Sequence, residues 1–257
     1  MRKEPLNLKY LPLSVSSLKQ FMRSPQHFLL YKEGQQEETA AMRFGTAVHM
    51  ALLEPAKFPK EYTYTDLRRN TKAYKEWLAD QREGIKVLTQ GEIVSIRDMA
   101  TSVQQHPMAR HLMKVPEKEQ MLTGELYGVP FRGILDGVGD GVVMDLKTTQ
   151  DSSPDEFSRS AYNLKYYAQL AAYRMLAQQN GHDIHSCYIV AVESKAPYSV
   201  AVYQVPEYYL IMGEQWLENA IGLFKEWDGI SLGYDYLLST KSMELHPPAW
   251  VQKKVGE

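Results

Sequence analysis

Apolar positions recur with a helical spacing over the first 118 residues of this chain and then switch to short runs broken by glycine. Near the start, SSLKQF offers Ser17 and Gln20 as a capping box, and SPQHF offers Ser24 as N-cap with Pro25 at the first helical position, so two short helices are expected. In AAMRFGTAVHMALLEP, Phe44, Val48 and Leu52 share one helical row and Gly45, His49 and Leu53 the next, before Pro55 ends the pattern. His49 thus sits beside an apolar helix face. Residues from about 56 to 118 are more polar, with helical spacing in TKAYKEWLADQ and GEIVSIRDMATSVQQH, and read as a helical insertion or arm.

From there QMLTGELYG, VPFRGILDGVG and GVVMDLKTT read as three consecutive strands joined by tight turns, a β-meander. Ser153, Pro154 and Glu156 start a helix predicted to run unbroken to the Asn180-Gly181 stop. HSCYIVAVES and PYSVAVYQV follow as strands, and PEYYLIMGEQWLENAIGLFKEW as a closing amphipathic helix. The order predicts an α/β fold, a sheet flanked by helices, within a single domain over residues 1–257 whose core lies at about 120–205.

Composition narrows the class. A 257-residue chain can bury an ordinary core as one domain. No stretch approaches the roughly 18 to 20 apolar residues of a membrane span, and the N-terminus lacks a secretory or transit pattern, so a soluble, cytoplasmic protein without membrane partners is expected. With Cys187 as the only cysteine, an internal disulfide and a four-cysteine zinc or iron–sulfur site are excluded. A net charge of −2 does not advertise nucleic-acid binding, so such a partner must be held by a local patch.

The chemistry concentrates in GILDGVGDGVVMDLKTTQD. Alternation along a strand puts Asp145 and Lys147 on one face and Leu146 on the other. Asp136 lies on the preceding strand, with Ile134 and Val138 on its side, and the turn at Gly139–Gly141 brings the two carboxylates together. Two such carboxylates repel unless a cation lies between them, and oxygen ligands with spare positions suit Mg²⁺, with Mn²⁺ as a substitute. A neighbouring lysine can stabilise charge on a phosphoryl group, or orient and deprotonate the attacking water. Lys147-Thr148 is not a P-loop ending, because Leu146 stands where glycine is needed. Asp140 and Asp151 read as turn and helix-entry residues.

Asp136 with Asp145-Leu146-Lys147 resembles the core signature of the PD-(D/E)XK nuclease superfamily. The flanking LSVSSLKQFMRSPQHF, RFGTAVH, FRGILDGV, VVMDLKTT and YYAQLAAY, in order over about residues 13–205, resemble its RecE-type, exonuclease VIII-like branch, which includes phage and prophage members. The resemblance implies a restriction-endonuclease-like core with a central mixed sheet and an N-terminal helical embellishment. It implies Asp136 and Asp145 as metal ligands, with the Leu146 carbonyl as a third, Lys147 as the catalytic lysine, and His49 as a further ligand or organiser. Glu125 matches an acidic position on the strand before the aspartate, and a strand-edge charge is its plain reading. Tyr162, Tyr166, Gln169 and Tyr173 form a stripe at helical spacing, of which Gln169 and Tyr173 resemble a Gln-x-x-x-Tyr element facing the site and DNA. Arg43 and Arg132 flank the motifs as candidates for DNA contact, and Tyr166 is a further one. The cluster Arg68, Arg69, Lys72 and Lys75 reads as a solvated helix face that could also hold a phosphate backbone.

The activity implied is a Mg²⁺-dependent, ATP-independent exonuclease that degrades one strand of linear duplex DNA from a 5′ end. It leaves a 3′ overhang for a strand-annealing, RecT-like recombinase and works as a ring-forming homo-oligomer. One alternative is a RecB-like nuclease acting on single-stranded ends, many of which carry an iron–sulfur cluster that a lone cysteine cannot build. Another is a non-catalytic DNA-binding module keeping the fold. His182, His185 and Cys187 are too irregularly spaced for zinc, and His106 and His111 read as surface residues around a turn.

Overall fold

The computed structural model describes residues 12–35 and 38–229. In chain order they form α1 (Val15–Phe21), α2 (Pro25–Lys32), α3 (Ala40–Leu53), α4 (Phe58–Glu61), β1 (Tyr62–Thr65), α5 (Lys72–Ala79), β2 (Lys86–Thr89), α6 (Gln90–Gln105) and α7 (Pro107–Leu112). There follow β3 (Glu117–Leu126), β4 (Val129–Gly139), β5 (Val142–Thr149), α8 (Pro154–Asn163), α9 (Tyr166–Gln179), β6 (Ser186–Glu193), β7 (Val200–Val205) and α10 (Glu207–Glu226). No helix among the described residues is long and apolar enough to cross a membrane.

The central sheet has the order β3-β4-β5-β6-β7 and is mixed: β5 and β6 are parallel, and the other neighbours are antiparallel. Parallel neighbours need a crossover, which α8 and α9 supply. The predicted meander is β3–β5. Its second turn is the two-residue loop Asp140-Gly141, with φ of 52° and 79°, the positive values that a tight primed turn demands.

Each sheet face carries its own core. On one, Leu18 and Phe21 of α1, Phe28 of α2, Leu170 of α9 and Leu217 of α10 bury with Leu135, Val143 and Ile189. On the other, Val48 of α3 and Ile96, Met99 and Val103 of α6 bury against Met144, Leu146, Val190 and Val192. The helices on both faces leave a five-stranded mixed sheet flanked by helices, the restriction-endonuclease-like arrangement expected.

Three local expectations are corrected. The capping box of α1 is Ser14 with Ser17, not Ser17 with Gln20, because Val15 already begins the helix and Ser17 stands at its third position. Ser24 with Pro25 caps α2 as predicted. The segment 56–118 is not wholly helical: β1 and β2 pair in parallel, Tyr62 opposite Lys86 through Thr65 opposite Thr89. Four residues per strand are too few to raise an alternation above a polar background. The helix expected from Ser153 to Asn180 is two helices, parted at Lys165, which takes a left-handed φ of 59°. For a residue other than glycine that conformation costs roughly 1–2 kcal/mol, and it is offset where the Lys165 ammonium lies 4.6 Å from the Tyr162 ring centroid and 5.7 Å from that of Tyr167.

Candidate metal centre

The antiparallel ladder between β4 and β5 covers only Gly137–Met144, Val138–Val143 and Gly139–Val142. At the next position, occupied by Asp136 and Asp145, the strands part. The backbone N–H of Leu146 donates instead to Asp136 Oδ2 at 2.6 Å, so the carboxylate fills the place of a strand partner and is oriented by it. Alternation along β4 slips at the same point. Ile134 and Val138, predicted to share a side with Asp136, differ sharply, since Ile134 is 48% exposed whereas Val138 is in the core with Leu135.

On the other flank of β4 the residue facing Asp136 is Glu119, whose φ of 48° interrupts β3 between the pairs Lys118–Gly137 and Gln120–Leu135. The third contributor is His49, on the side of α3 that meets the sheet, with Nδ1 3.6 Å from Asp136 Oδ1. His49, Glu119 and Asp136 each offer one ligand atom, all within 4.8 Å of one another.

Asp145 lies outside that group of three. It is 1% exposed and shares a strand face with Lys147, as alternation predicts, with Oδ2 2.7 Å from Lys147 Nζ. Lys147 thus occupies Oδ2, and Asp145 Oδ1 has no partner among the described residues. A buried carboxylate with open lone pairs beside Asp136, Glu119 and His49 fits a hard divalent cation. The imidazole extends the donor set towards Mn²⁺.

The electrostatics follow from this crowding. Burial works against the ionised Asp136, but His49, Lys147 and the Leu146 N–H outweigh it and hold the carboxyl below its usual range. Burial raises Asp145; the Asp136 charge adds to the rise, and Lys147 opposes it. Glu119 is raised by burial and then by Asp136. His49 is disfavoured as a cation by burial, yet Asp136 carries it above its ordinary value. Lys147, despite burial, is kept firmly protonated by Asp145 and Asp136.

The opposite wall is α9. Tyr166, Gln169 and Tyr173 are spaced three and four residues apart on it, and Gln169 Nε2 donates to Tyr173 Oη at 2.8 Å. Tyr173 is near enough to Asp145 and Lys147 to feel both charges. Gly133 makes this approach possible, since a Cβ there would lie 2.7 Å from Tyr173 Cε1. Lys147 Nζ sits 4.9 Å from the Tyr166 ring centroid. Tyr162, expected in the same stripe, is on α8 and 51% exposed.

Two residues that sequence reasoning missed join the site. Glu119 is one. The other is Lys19 of α1, whose Nζ lies 6.0 Å from the Tyr166 ring centroid and forms no ion pair or hydrogen bond among the described residues. Burial and then the Lys147 charge lower its pKa to about 8. Neither carries a sequence signal, for a strand-edge Glu and a helical Lys are both ordinary on a surface.

Other candidates lie elsewhere. Glu125 pairs with Pro130 at the far end of the β3–β4 hairpin, six residues and about 20 Å along the strand from Glu119. It is exposed and outside the ligand group; its backbone N–H is held by Gln179. Leu146 buries its side chain on the opposite sheet face. Arg132 is exposed on β4, and its N–H donates to the Leu13 carbonyl. Arg43 stands in the first turn of α3, lining a separate cavity. His182 and His185 lie near Glu117 and Asp183, and Cys187 is buried; the three form no ligand cluster. His106 is the N-cap of α7.

In three dimensions the chain is similar to a crystal structure of a protein from Eubacterium rectale provisionally designated an exonuclease. The TM-score is 0.61 at 15% identity, over 100% of both chains. It is also similar to a phage related exonuclease from Haemophilus somnus 129PT, with a TM-score of 0.39 at 16% identity, over 86% of this chain and 98% of that one. Identity at this level speaks to fold alone, and of these two only the first superposition is close enough to do so. No curated protein matches the chain in sequence. Residues 14–227 match the family model described as a PDDEXK-like domain of unknown function (DUF3799), and to that family the chain belongs.

Proposed function

We propose that the protein is a divalent-metal-dependent nuclease that hydrolyses phosphodiester bonds of linear duplex DNA from a 5′ end, without ATP, leaving a 3′ single-stranded overhang. The observation that carries the reading is the buried Asp145 carboxylate, ion-paired to Lys147 yet short of hydrogen-bond partners, beside Asp136 where β4 and β5 part. Asp136, His49 and Glu119, with Asp145 and the Leu146 carbonyl, would hold a divalent cation, Mg²⁺ proposed and Mn²⁺ as substitute, which would supply charge neutralisation and Lewis-acid polarisation at the phosphoryl group. Lys147, held protonated, directs its ammonium at the charge that builds on phosphoryl oxygens. The Gln169–Tyr173 pair presents fixed polar atoms to the same space. Tyr166 and Arg132 are proposed to contact DNA. The exonuclease designation of the Eubacterium rectale relative agrees with this activity.

The 5′ polarity, a strand-annealing recombinase as partner and a ring-shaped homo-oligomer come from the RecE-type resemblance. Digestion of 5′-labelled and 3′-labelled linear duplex, single strands and closed circles in Mg²⁺ tests the reading. Release of nucleotide from the 5′ end of linear duplex, lost in Asp145→Asn, is expected. Cleavage of circles, or full activity in Asp145→Asn, would overturn it.

A further inference from the structure

Beyond the metal centre, a cavity of about 420 Å³ opens between the first turn of α3, α5 and the β1–β2 pair. Its volume falls in the range of small-ligand sites. Arg43, Arg69 and Lys86 line it, and none forms an ion pair among the described residues. Arg69 donates to the Val87 carbonyl at 3.2 Å, and Lys86 lies over the face of Tyr62, 5.3 Å from its centroid, its ammonium also acting on the Tyr62 hydroxyl. Of the two acidic residues in the lining, Glu92 is committed to the capping box of α6, with Thr89 as its partner, which leaves Glu38 against three cations. Phe44, Tyr62 and Tyr74 supply an apolar wall. Cations that lack protein counter-ions beside aromatic carbon match a ligand with phosphate on one side and a base on the other.

The cavity also has a direction. Arg43 lies six residues before His49 on α3, about 9 Å along the helix axis. Six residues also turn Arg43 about 120° around α3 from His49, so a strand leaving the metal centre passes around the helix to reach it.

We infer that this cavity holds a nucleotide unit of a single strand leading to or from the metal centre, its phosphate on Arg43, Arg69 and Lys86 and its base against Phe44 and Tyr74, since Phe58 and Lys86 already cover the Tyr62 ring. The inference rests on the nuclease reading for its substrate class, and its test does not need cleavage. Fluorescence anisotropy of a labelled 12-residue oligo-dT on the full chain, in EDTA, gives affinity as a function of salt. In Arg69→Ala/Lys86→Ala, binding should weaken about tenfold or more, and the slope of log K against log salt should shrink by about 1.4, two phosphate contacts on a single strand. Lys86→Ala alone should give about half that slope change without disturbing the Arg69–Val87 bond, and Lys86→Arg should restore it. Unchanged affinity and slope in a folded double variant would overturn the inference. So would displacement of the oligonucleotide by equimolar dTMP, which would assign the cavity to a free nucleotide. An inactive protein that still shows the loss would remove the nuclease reading and leave the cavity assignment; an active protein without it would do the reverse.

Discussion

Asp136 Oδ2 accepts the backbone N–H of Leu146 at 2.6 Å, where two more residues of antiparallel register would have offered the N–H to β4 backbone. One side chain therefore does two things. It closes the hydrogen-bond account of a buried strand that has lost its neighbour, and it is fixed by that bond to face His49 and Glu119.

These roles separate by substitution. Asp136→Asn keeps an acceptor for Leu146 and loses the charge, whereas Asp136→Ala also leaves a buried N–H unpaired, a loss of about 1–3 kcal/mol. Both should abolish metal-dependent cleavage. In urea denaturation without metal, Asp136→Ala should be less stable than Asp136→Asn by about that amount. Equal stabilities would mean that the Leu146 bond does not support the fold.

Removing Lys147 strips the counter-charge from a carboxylate that is 1% exposed. Loss of one partner of a buried pair costs about 3–5 kcal/mol, so Lys147→Ala should lose activity and much stability together. Lys147→Met/Asp145→Asn, with both charges gone, should recover most of the stability and none of the activity. A double-mutant cycle in urea measures this, and additive losses would refute the pairing.

Much of this site is readable in the sequence. Asp136, Asp145 and Lys147 interrupt apolar strands, and burial makes charge there conspicuous. The Asp140-Gly141 turn fixes which strands adjoin. Glu119 is different, because it enters through a left-handed residue in β3 that Lys118-Glu119-Gln120 does not announce. Lys19 and the break at Lys165 are equally silent, since tertiary contact with Tyr166 in one case and with Tyr162 and Tyr167 in the other decides them. Glu125, readable as an acid on the right strand, fails by register alone.

Metal binding should depend on pH with a definite sign. His49 must be neutral to ligate, and Asp136 holds its pKa above 6.5. Glu119, also raised, must be ionised. Affinity for Mn²⁺ should therefore climb from pH 6 to pH 8, and protons should be released on binding. Calorimetry in buffers of different ionisation enthalpy counts them. His49→Ala should lower the affinity by about 10- to 100-fold and flatten the pH dependence, and a variant that keeps the slope would remove His49 from the ligand set.

Cys187 tests whether the core over α9 and α10 is closed. Burial pushes its thiol up to about 12, so at pH 8 the native protein should not react with a disulfide reagent over hours, while urea-unfolded protein should react at once. Rapid labelling of the native chain would place Cys187 at an opening that its burial denies.

Lys19 is the sharpest case, because among the described residues it forms no ion pair, and the nearby Asp145 charge only partly offsets its burial beside Lys147. Its pKa, lowered from 10.5 to about 8 by burial and by Lys147, leaves the free protein with a cation whose charge is lost as pH rises through that value. A phosphate between Lys19 and Lys147 would supply the missing counter-charge and raise the pKa again. Lys19→Ala should therefore weaken duplex binding and lower kcat/KM by about tenfold at pH 7, with the difference from wild type narrowing above pH 8. Lys19→Arg, charged throughout, should hold its activity to higher pH than wild type. A Lys19→Ala profile parallel to wild type over pH 6.5–9.5 would show that the ammonium serves packing against Tyr166 and not the substrate.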